Sequence, residues 1–417
     1  MNASKLTTLT DVHPAMRHFT REGGVLCVAQ KPVTEWIADT DATPVFLYDS
    51  SVVQNQIEQL REHLPDGMKI SYAIKANPYA PLVEKIIEWV DGFDVASLKE
   101  LELALGQNIS AGQISFAGPG KSVSSLRKAI ESGVIINVES ATEIQRCVDI
   151  GQELGTRPKV CIRLNPGVDV RASGMKMSSV EGSPFGIDFD QLPAVLQDFP
   201  IEKLELLGFH VYGCSQQLDA TILLEYFSAL MQQLEKLASI SPVPVQQINL
   251  GGGFGIPYFP SEVPMDLGLF GDGITKLLSK HQSWLQDTEI KMEFGRFLVG
   301  EAGVYLSRVV DIKESGASTY VIVDGGMHHH LANAGLLGQV VRRNFPTAVA
   351  NKMNLAPESK VHICGPLCTP LDRVASAVEL PPVEIGDLIA IFSSGAYGLT
   401  ASPTGFLSQP MATEILC

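Results

Sequence analysis

Residues 71–105 read SYAIKANPYAPLVEKIIEWVDGFDVASLKELELAL, and their texture decides the architecture. A short apolar run, SYAIK, gives way to a stretch at 84–89 with apolar residues three or four apart. A second short run, FDVAS, leads into 98–105 with the same spacing. Strand then helix, twice over, is the βα unit. The rhythm persists from about residue 45 to residue 300. Further strands are expected at 114–118 (ISFAG), 136–140 (INVES), 160–165 (VCIRLN), 208–212 (GFHVY), 248–252 (INLGG) and 291–295 (KMEFG), and a helix at 124–130. With 71–75 and 93–97 this makes eight strands. Eight units, with no GxGxxG opening the first helix, predict a closed (β/α)8 TIM barrel rather than a doubly wound sheet.

Beyond residue 300 the pattern changes to period-two alternation, as in YVIVD (320–324) and LIAIF (388–392), which predicts an antiparallel β domain. Residues 1–45, with Pro32 and Pro44 in their second half, are too few to bury a core and are expected to pair with that domain. The expected boundaries are therefore 1–45, 46–300 and 301–417.

Composition narrows the function. Of 417 residues 45% are hydrophobic and 18% charged, the balance of a chain with a buried core. A formal net charge of −15 repels phosphate backbones and anionic membranes, so neither nucleic acid nor membrane is an expected partner. No apolar run is long enough to span a bilayer and the opening stretch lacks a secretory pattern, so a cytoplasmic location is expected. The cysteines at 27, 147, 161, 214, 364, 368 and 417 show no CxxC spacing, so neither a disulfide framework nor a zinc site is expected. His328, His329 and His330 are consecutive and cannot all face one ion, so no metal is expected there; they line or border a pocket, or sit in a loop after the Asp324-Gly325-Gly326 turn.

In a barrel of this kind reactive groups sit at the carboxyl ends of strands. Lys75 closes the first run, where desolvation lowers the pKa of an amine enough for Schiff-base chemistry; taken alone it reads as a surface lysine at a strand end. Gly251 to Gly253 and Gly255 follow the seventh strand, where backbone N–H groups cradle phosphates in many barrels, though a plain tight turn uses glycines too. Glu293 closes the eighth strand, suited either to a protonated pyridine nitrogen, with Gly295 and Arg296 near a phosphate, or to a structural ion pair. Cys368, between Pro366 and Pro370, is a proton donor or a packed thiol.

With these residues assembled, the chain resembles the ornithine/diaminopimelate/arginine decarboxylases, fold type III enzymes that use pyridoxal 5′-phosphate (PLP). The likeness spans about residues 43–415 and rests on YAIKAN (72–77), LGGGFG (250–255), EFGR (293–296) and GPLC with GAYG (365–368 and 395–398) in order. It implies a PLP-binding barrel of the alanine racemase type followed by a β domain. It also implies that Lys75 is the Schiff-base lysine, that Glu293 pairs with the ring nitrogen, and that Gly252, Gly253 and Arg296 hold the phosphate with Ser215 and Tyr397. Asp94 matches a position near the lysine and Arg163 one beneath the cofactor. Cys368 then acts in the neighbouring subunit's site as proton donor to Cα, in an obligate homodimer. An acidic partner for the ring nitrogen favours decarboxylation over racemisation.

Three departures bear on substrate. Tyr212 stands where the family stacks a histidine on the cofactor, with His210 two residues earlier. Phe294 replaces a proline in EPGR, and a change in local rigidity alone is expected from it. Thr369 replaces the acid that follows the cysteine in decarboxylases of free diamino acids, and a neutral group cannot offset the desolvation of a distal ammonium. The runs GEAGVY (300–305), DGGMHHH (324–330), GQVVRRNFP (338–346), GPLCTPLD (365–372) and SGAYGLTASP (394–403) resemble a subgroup found with exosortase A (PEP-CTERM) gene systems. They also resemble the butirosin-pathway decarboxylase, whose amino acid is tethered to an acyl carrier protein; Arg342 and Arg343 would then meet the carrier or its phosphopantetheine, or simply be a solvated pair. The alternatives are a diaminopimelate decarboxylase of lysine biosynthesis, another decarboxylase of free diamino acids, or an inactive decarboxylase-like regulator. Retention of Lys75, Glu293 and Cys368 together speaks against the last.

Overall fold

A computed structural model describes residues 7–9, 14–40, 42–168, 182–337 and 342–417; residues 338–341 of the GQVVRRNFP run lie outside them. All eight expected barrel strands form: β1 Lys69–Ala73, β2 Gly92–Val95, β3 Ile114–Phe116, β4 Ile135–Val138, β5 Lys159–Asn165, β6 Glu205–Val211, β7 Gln247–Asn249 and β8 Glu289–Phe294. All but β5 end one to three residues earlier than expected, because the residues that close each run belong to the strand-to-helix loops. Every neighbour is parallel and the sheet closes on itself, β4 pairing with β5 and β8 with β1 through Lys291↔Lys69 to Phe294↔Tyr72. The chain is a (β/α)8 barrel joined to a β-rich unit.

Serine caps set where several barrel helices begin. Ser97, Ser122 and Ser140 accept hydrogen bonds from the N–H groups of Glu100, Ser125 and Glu143. Glu100 and Glu143 reach back to the N–H groups of Ala96 and Glu139, so each strand-to-helix corner is pinned from both sides. Phe294 contributes more than rigidity. Fully buried, it packs edge-on against Phe254 at 5.0 Å, and Phe254 packs in turn on Phe270 of the helix Leu267–Lys280, so Phe294 helps join that helix to the sheet.

The residues cluster into two compact units. One, Gln56–Gly255 with Pro264–Gly295, contains the barrel. The other comprises Met1–Asn55, Ile256–Val263 and Arg296–Cys417. Its backbone is the long strand Gly303–Ser315, which pairs antiparallel with Ser318–Val323, Leu388–Ile391 and Val45–Tyr48. Two pairings in this sheet are parallel, Ser318–Val323 with Ser359–Cys364 and Val45–Tyr48 with Thr413–Leu416. Its core gathers Phe19, Leu26, Val28, Leu47, Val304, Leu306 and Phe392. Among the described residues no helix is long and apolar enough to cross a membrane.

The three consecutive histidines lie buried in this second unit. His329 Nε2 donates to Pro410 O at 2.8 Å, so its Nδ1 accepts from Tyr305 Oη at 3.2 Å; His330 Nε2 donates to Ser394 Oγ at 3.0 Å and its Nδ1 accepts from Asn333 N at 3.3 Å. His328 has neither ring nitrogen hydrogen-bonded. Burial brings His329 down to about 4 and His330 to about 3. Both rings are therefore neutral in the native protein at pH 5, whereas the unfolded chain takes up a proton at each below roughly pH 6.5. Stability present at neutral pH is thus lost as pH falls from about 6.5 toward those values, on the order of 2 kcal/mol per histidine by pH 5. Thermal midpoints at pH 7 and pH 5 check this. His330→Gln should unfold at lower temperature at pH 7 but lose less than wild type on acidification, and an identical loss in the two proteins would remove His330 from the account.

Candidate active site

Lys75 lies just beyond β1, in a single 3₁₀ turn, Ile74–Ala76, that the Asn77 N–H closes on Ile74 O at 3.0 Å. The buried Tyr72 hydroxyl donates to Asn77 O at 2.8 Å and locks the turn from below. This fixes the lysine at the carboxyl mouth of the barrel, where its Nζ sits 5.0 Å from the ring centroid of Tyr212, the residue that directly follows β6.

Glu293, in β8, is buried beneath the same mouth. Asn249 Nδ2, at the end of β7, donates to Glu293 Oε1 at 2.6 Å, and His210 Nε2, from β6, lies 3.2 Å from the same oxygen at ion-pair distance though not aligned for a hydrogen bond. Burial alone would raise this carboxyl. His210, the Lys75 charge and the Asn249 amide outweigh burial and hold Glu293 below the ordinary carboxylate range. Asp94 in β2 is moved the other way. Burial and the Glu293 charge lift it well above its usual value, only partly opposed by Lys75, the Ser115 hydroxyl that donates to it at 3.1 Å, and Arg163. Two carboxyls in one site are thus pushed in opposite directions, Glu293 toward its ionised form and Asp94 toward its neutral one.

The loops after β6 and β7 lie against each other and against β8 so closely that side chains are excluded. A Cβ on Gly252 would stand 1.8 Å from Glu293 O; on Gly253, at φ +106°, it would meet Cys214 O at 2.8 Å. Gln217 N donates to Gly253 O at 2.9 Å and Gly255 N to Gln217 O at 2.8 Å, which ties the Ser215 segment to the glycine turn. Gly295 approaches the Lys75 turn, its would-be Cβ 3.0 Å from Ala76 Cβ.

Arg163, buried in β5, donates to Glu139 Oε1 at 2.9 Å, and Glu139 also accepts from Gly118 N at 2.6 Å and Gly186 N at 3.1 Å. Beside it the buried Lys121 ammonium contacts Glu143 at 3.0 Å and the carbonyls of Gly118 and Asn137 at 2.8 Å each. Sequence reasoning singled out Arg163 but missed Glu139, Lys121 and Glu143. Their signal was available, since charged groups at consecutive strand-to-helix corners of a barrel converge on its mouth.

In the other unit, Arg296 Nη1 donates to Tyr258 Oη at 2.6 Å and the guanidinium lies 4.7 Å from the Tyr397 ring centroid. Cys368 is exposed there, on a loop organised by the buried Asp372. One Asp372 oxygen accepts from Leu367 N at 2.8 Å and the other from Met327 N at 2.7 Å, so a single carboxylate joins the cysteine loop to the turn before His328. Thr369 builds the same loop, its N–H donating to Leu367 O and its hydroxyl accepting from Leu371 N. The other thiols differ in kind: Cys27, Cys147, Cys161 and Cys214 are buried, and burial pushes Cys161 up to about 12.

Within the barrel unit, then, Lys75, Asp94, Arg163, Tyr212 and Glu293 act on one another. An amine beside an aromatic face, an ionised carboxylate whose Oε2 carries neither of the contacts to Oε1, and a glycine turn too tight for side chains fit a planar aldehyde cofactor with a basic ring nitrogen and a phosphate.

Comparison with known proteins points the same way. The family model for the pyridoxal-dependent decarboxylase pyridoxal binding domain matches residues 50–300. L-glutamyl-[BtrI acyl-carrier protein] decarboxylase of Niallia circulans is 35% identical over 90% of this chain and 88% of that enzyme. Diaminopimelate decarboxylase of Aquifex aeolicus is 30% identical over 91% of this chain and 88% of its own. The crystal structure of diaminopimelate decarboxylase from Helicobacter pylori complexed with L-lysine superposes with a TM-score of 0.80 at 27% identity, covering 92% of this chain and 94% of that one.

Proposed function

The chain belongs to the pyridoxal-dependent decarboxylases, and from that premise we propose that it uses pyridoxal 5′-phosphate to remove the α-carboxyl group of an amino acid carried on an acyl carrier protein or otherwise modified away from its α-carbon. The observation that carries the reading is the geometry at the barrel mouth, Lys75 with its Nζ 5.0 Å from the Tyr212 ring and the buried Glu293 held by Asn249 and His210. Bound there, the cofactor supplies an electron sink for the pair released when the Cα–carboxyl bond breaks.

The residues divide the remaining work. Lys75 Nζ anchors the aldehyde carbon, and the Tyr212 face covers it. Glu293 Oε2 holds a proton at the ring nitrogen, a task for which a low-pKa carboxylate is suited because it keeps its charge. Asp94, which burial and the Glu293 charge push toward its neutral form, would then add no second negative charge to compete for that proton. Arg163, its guanidinium fixed by Glu139, would help to hold the cofactor. The N–H groups of Gly252 and Gly253, with Ser215, Gly295, Arg296 and Tyr397, are assigned to the phosphate. As the bond to the carboxyl carbon breaks and carbon dioxide departs, Cα takes the proton of Cys368 Sγ, and the thiolate recovers one from solvent. Cys368 and its neighbour Leu371 are exposed on the single chain, which suits a loop that serves the site of a second copy in a homodimer.

The substrate class rests on Thr369. Its side chain is uncharged and already engaged in the loop, so nothing at that position offsets the desolvation of a free distal ammonium. The relative from Niallia circulans, named for a glutamyl group on a carrier protein, supports a tethered or modified substrate. The similarity to diaminopimelate decarboxylases supports a second reading, a free diamino acid. Carbon dioxide release by the PLP-loaded protein separates the two. We expect release from L-glutamate or a related amino acid loaded on an acyl carrier protein and little from free meso-diaminopimelate, ornithine or lysine. Rapid release from a free diamino acid would overturn the assignment.

A further inference from the structure

Arg296 is held in place by the protein itself. Besides the 2.6 Å hydrogen bond to Tyr258 Oη, its guanidinium carbon lies 5.6 Å from the Tyr258 ring centroid and 4.7 Å from that of Tyr397. Tyr258 is fixed in turn. It is 5% exposed, its N–H and that of Phe259 donate to Glu262 Oε2 at 2.8 and 3.2 Å, and its ring packs 4.6 Å from Phe345. Arg343 and Phe345 of the run Arg342–Phe345 pack against this segment. Arg343 lies 3.6 Å over the Phe259 ring and 3.6 Å from Glu262, while Asn344 exchanges two hydrogen bonds with Ser376, at 2.7 and 2.8 Å. Burial pushes the Tyr258 hydroxyl above its ordinary pKa, so it meets Arg296 as a neutral phenol whose oxygen accepts.

We propose that Tyr258 is a positioning residue for cofactor binding, holding Arg296 in the pose that receives the phosphate. The inference rests on the assignment of Arg296 to the phosphate made above. A free arginine side chain has many rotamers to lose on binding, and a guanidinium already bonded and stacked has lost most of that freedom before the ligand arrives. The sequence distance between Tyr258 and Arg296 hides the pairing, and Arg343 and Phe345 of the RRNF run gain a role as the packing behind it.

The test uses the apoprotein, titrated by absorbance with PLP and with pyridoxal, which lacks the phosphate. Tyr258→Phe keeps the ring and removes the acceptor; it should raise the Kd for PLP roughly tenfold and leave that for pyridoxal unchanged. In an Arg296→Ala background the same substitution should have no further effect on PLP. Should Tyr258→Phe fold poorly, Glu262→Gln, which loosens the support of Tyr258, should give the same phosphate-selective loss. Equal weakening of both ligands, unaltered affinity for PLP, or full additivity with Arg296→Ala would overturn the proposal. Failure of the underlying assignment looks different, since wild type and Arg296→Ala would then bind PLP equally well.

Discussion

Replacing Lys75 with alanine should slow carbon dioxide release by roughly 10³-fold or more. Among the described residues no other amine is placed to take over. Lys121 is locked by Glu143 and two carbonyls, Lys291 pairs with Glu289, and Lys69 begins β1 at the opposite end of the barrel. Borohydride reduction followed by peptide mapping should place a pyridoxyl group on Lys75 in wild type and on no lysine in the variant. Mixing Lys75→Ala with an equally inactive Cys368→Ala protein should restore about a quarter of wild-type activity, because half of randomly paired dimers are mixed and each mixed dimer has one intact site of two. Full activity in Lys75→Ala alone would end the mechanism, and no recovery on mixing would place Cys368 in its own subunit's site.

Glu293→Gln should reduce kcat roughly 10²- to 10³-fold while changing KM far less. The amide can keep the contact with Asn249 yet cannot hold a proton at a ring nitrogen by charge. A second effect follows from Asp94. With the Glu293 charge gone, one of the two causes that lift Asp94 disappears, so Asp94 ionises at lower pH than in wild type and the residual activity, which uses its neutral form, should fall off at lower pH as pH rises. Wild-type kcat in Glu293→Gln would remove Glu293 from the chemistry.

The barrel was legible because its strands are short, apolar and separated by amphipathic helices, and because each run ends in residues unsuited to a strand. SYAIK, FDVAS and INVES announced β1, β2 and β4 this way, although Lys75 proved to sit in the turn beyond its strand. What stayed hidden were side-chain partnerships between distant residues. His210 was read only as a histidine two places from the expected one, yet it faces Glu293 across β7. The layering of inward side chains from alternate strands would have suggested this, since β6 and β8 share a layer. Glu139 and Glu143 sit in a pattern that reads as a helix cap, and for Glu143 the cap is real; its ion pair with Lys121 needed the third dimension. Tyr258 was invisible for another reason. Its short segment, 256–263, leaves the barrel sequence to join the unit that begins again at Arg296, and no periodicity marks such an excursion.

The carboxylate of Asp372 has a consequence for motion. Because it binds Leu367 N with one oxygen and Met327 N with the other, and because Gly326 and Gly365 press against it so closely that no Cβ fits, the cysteine loop and the histidine turn cannot loosen separately. They breathe as one cooperative element. On the role proposed for Cys368, a thiol that gives its proton to Cα needs aim more than reach, and tying its loop to a second turn favours constancy of aim.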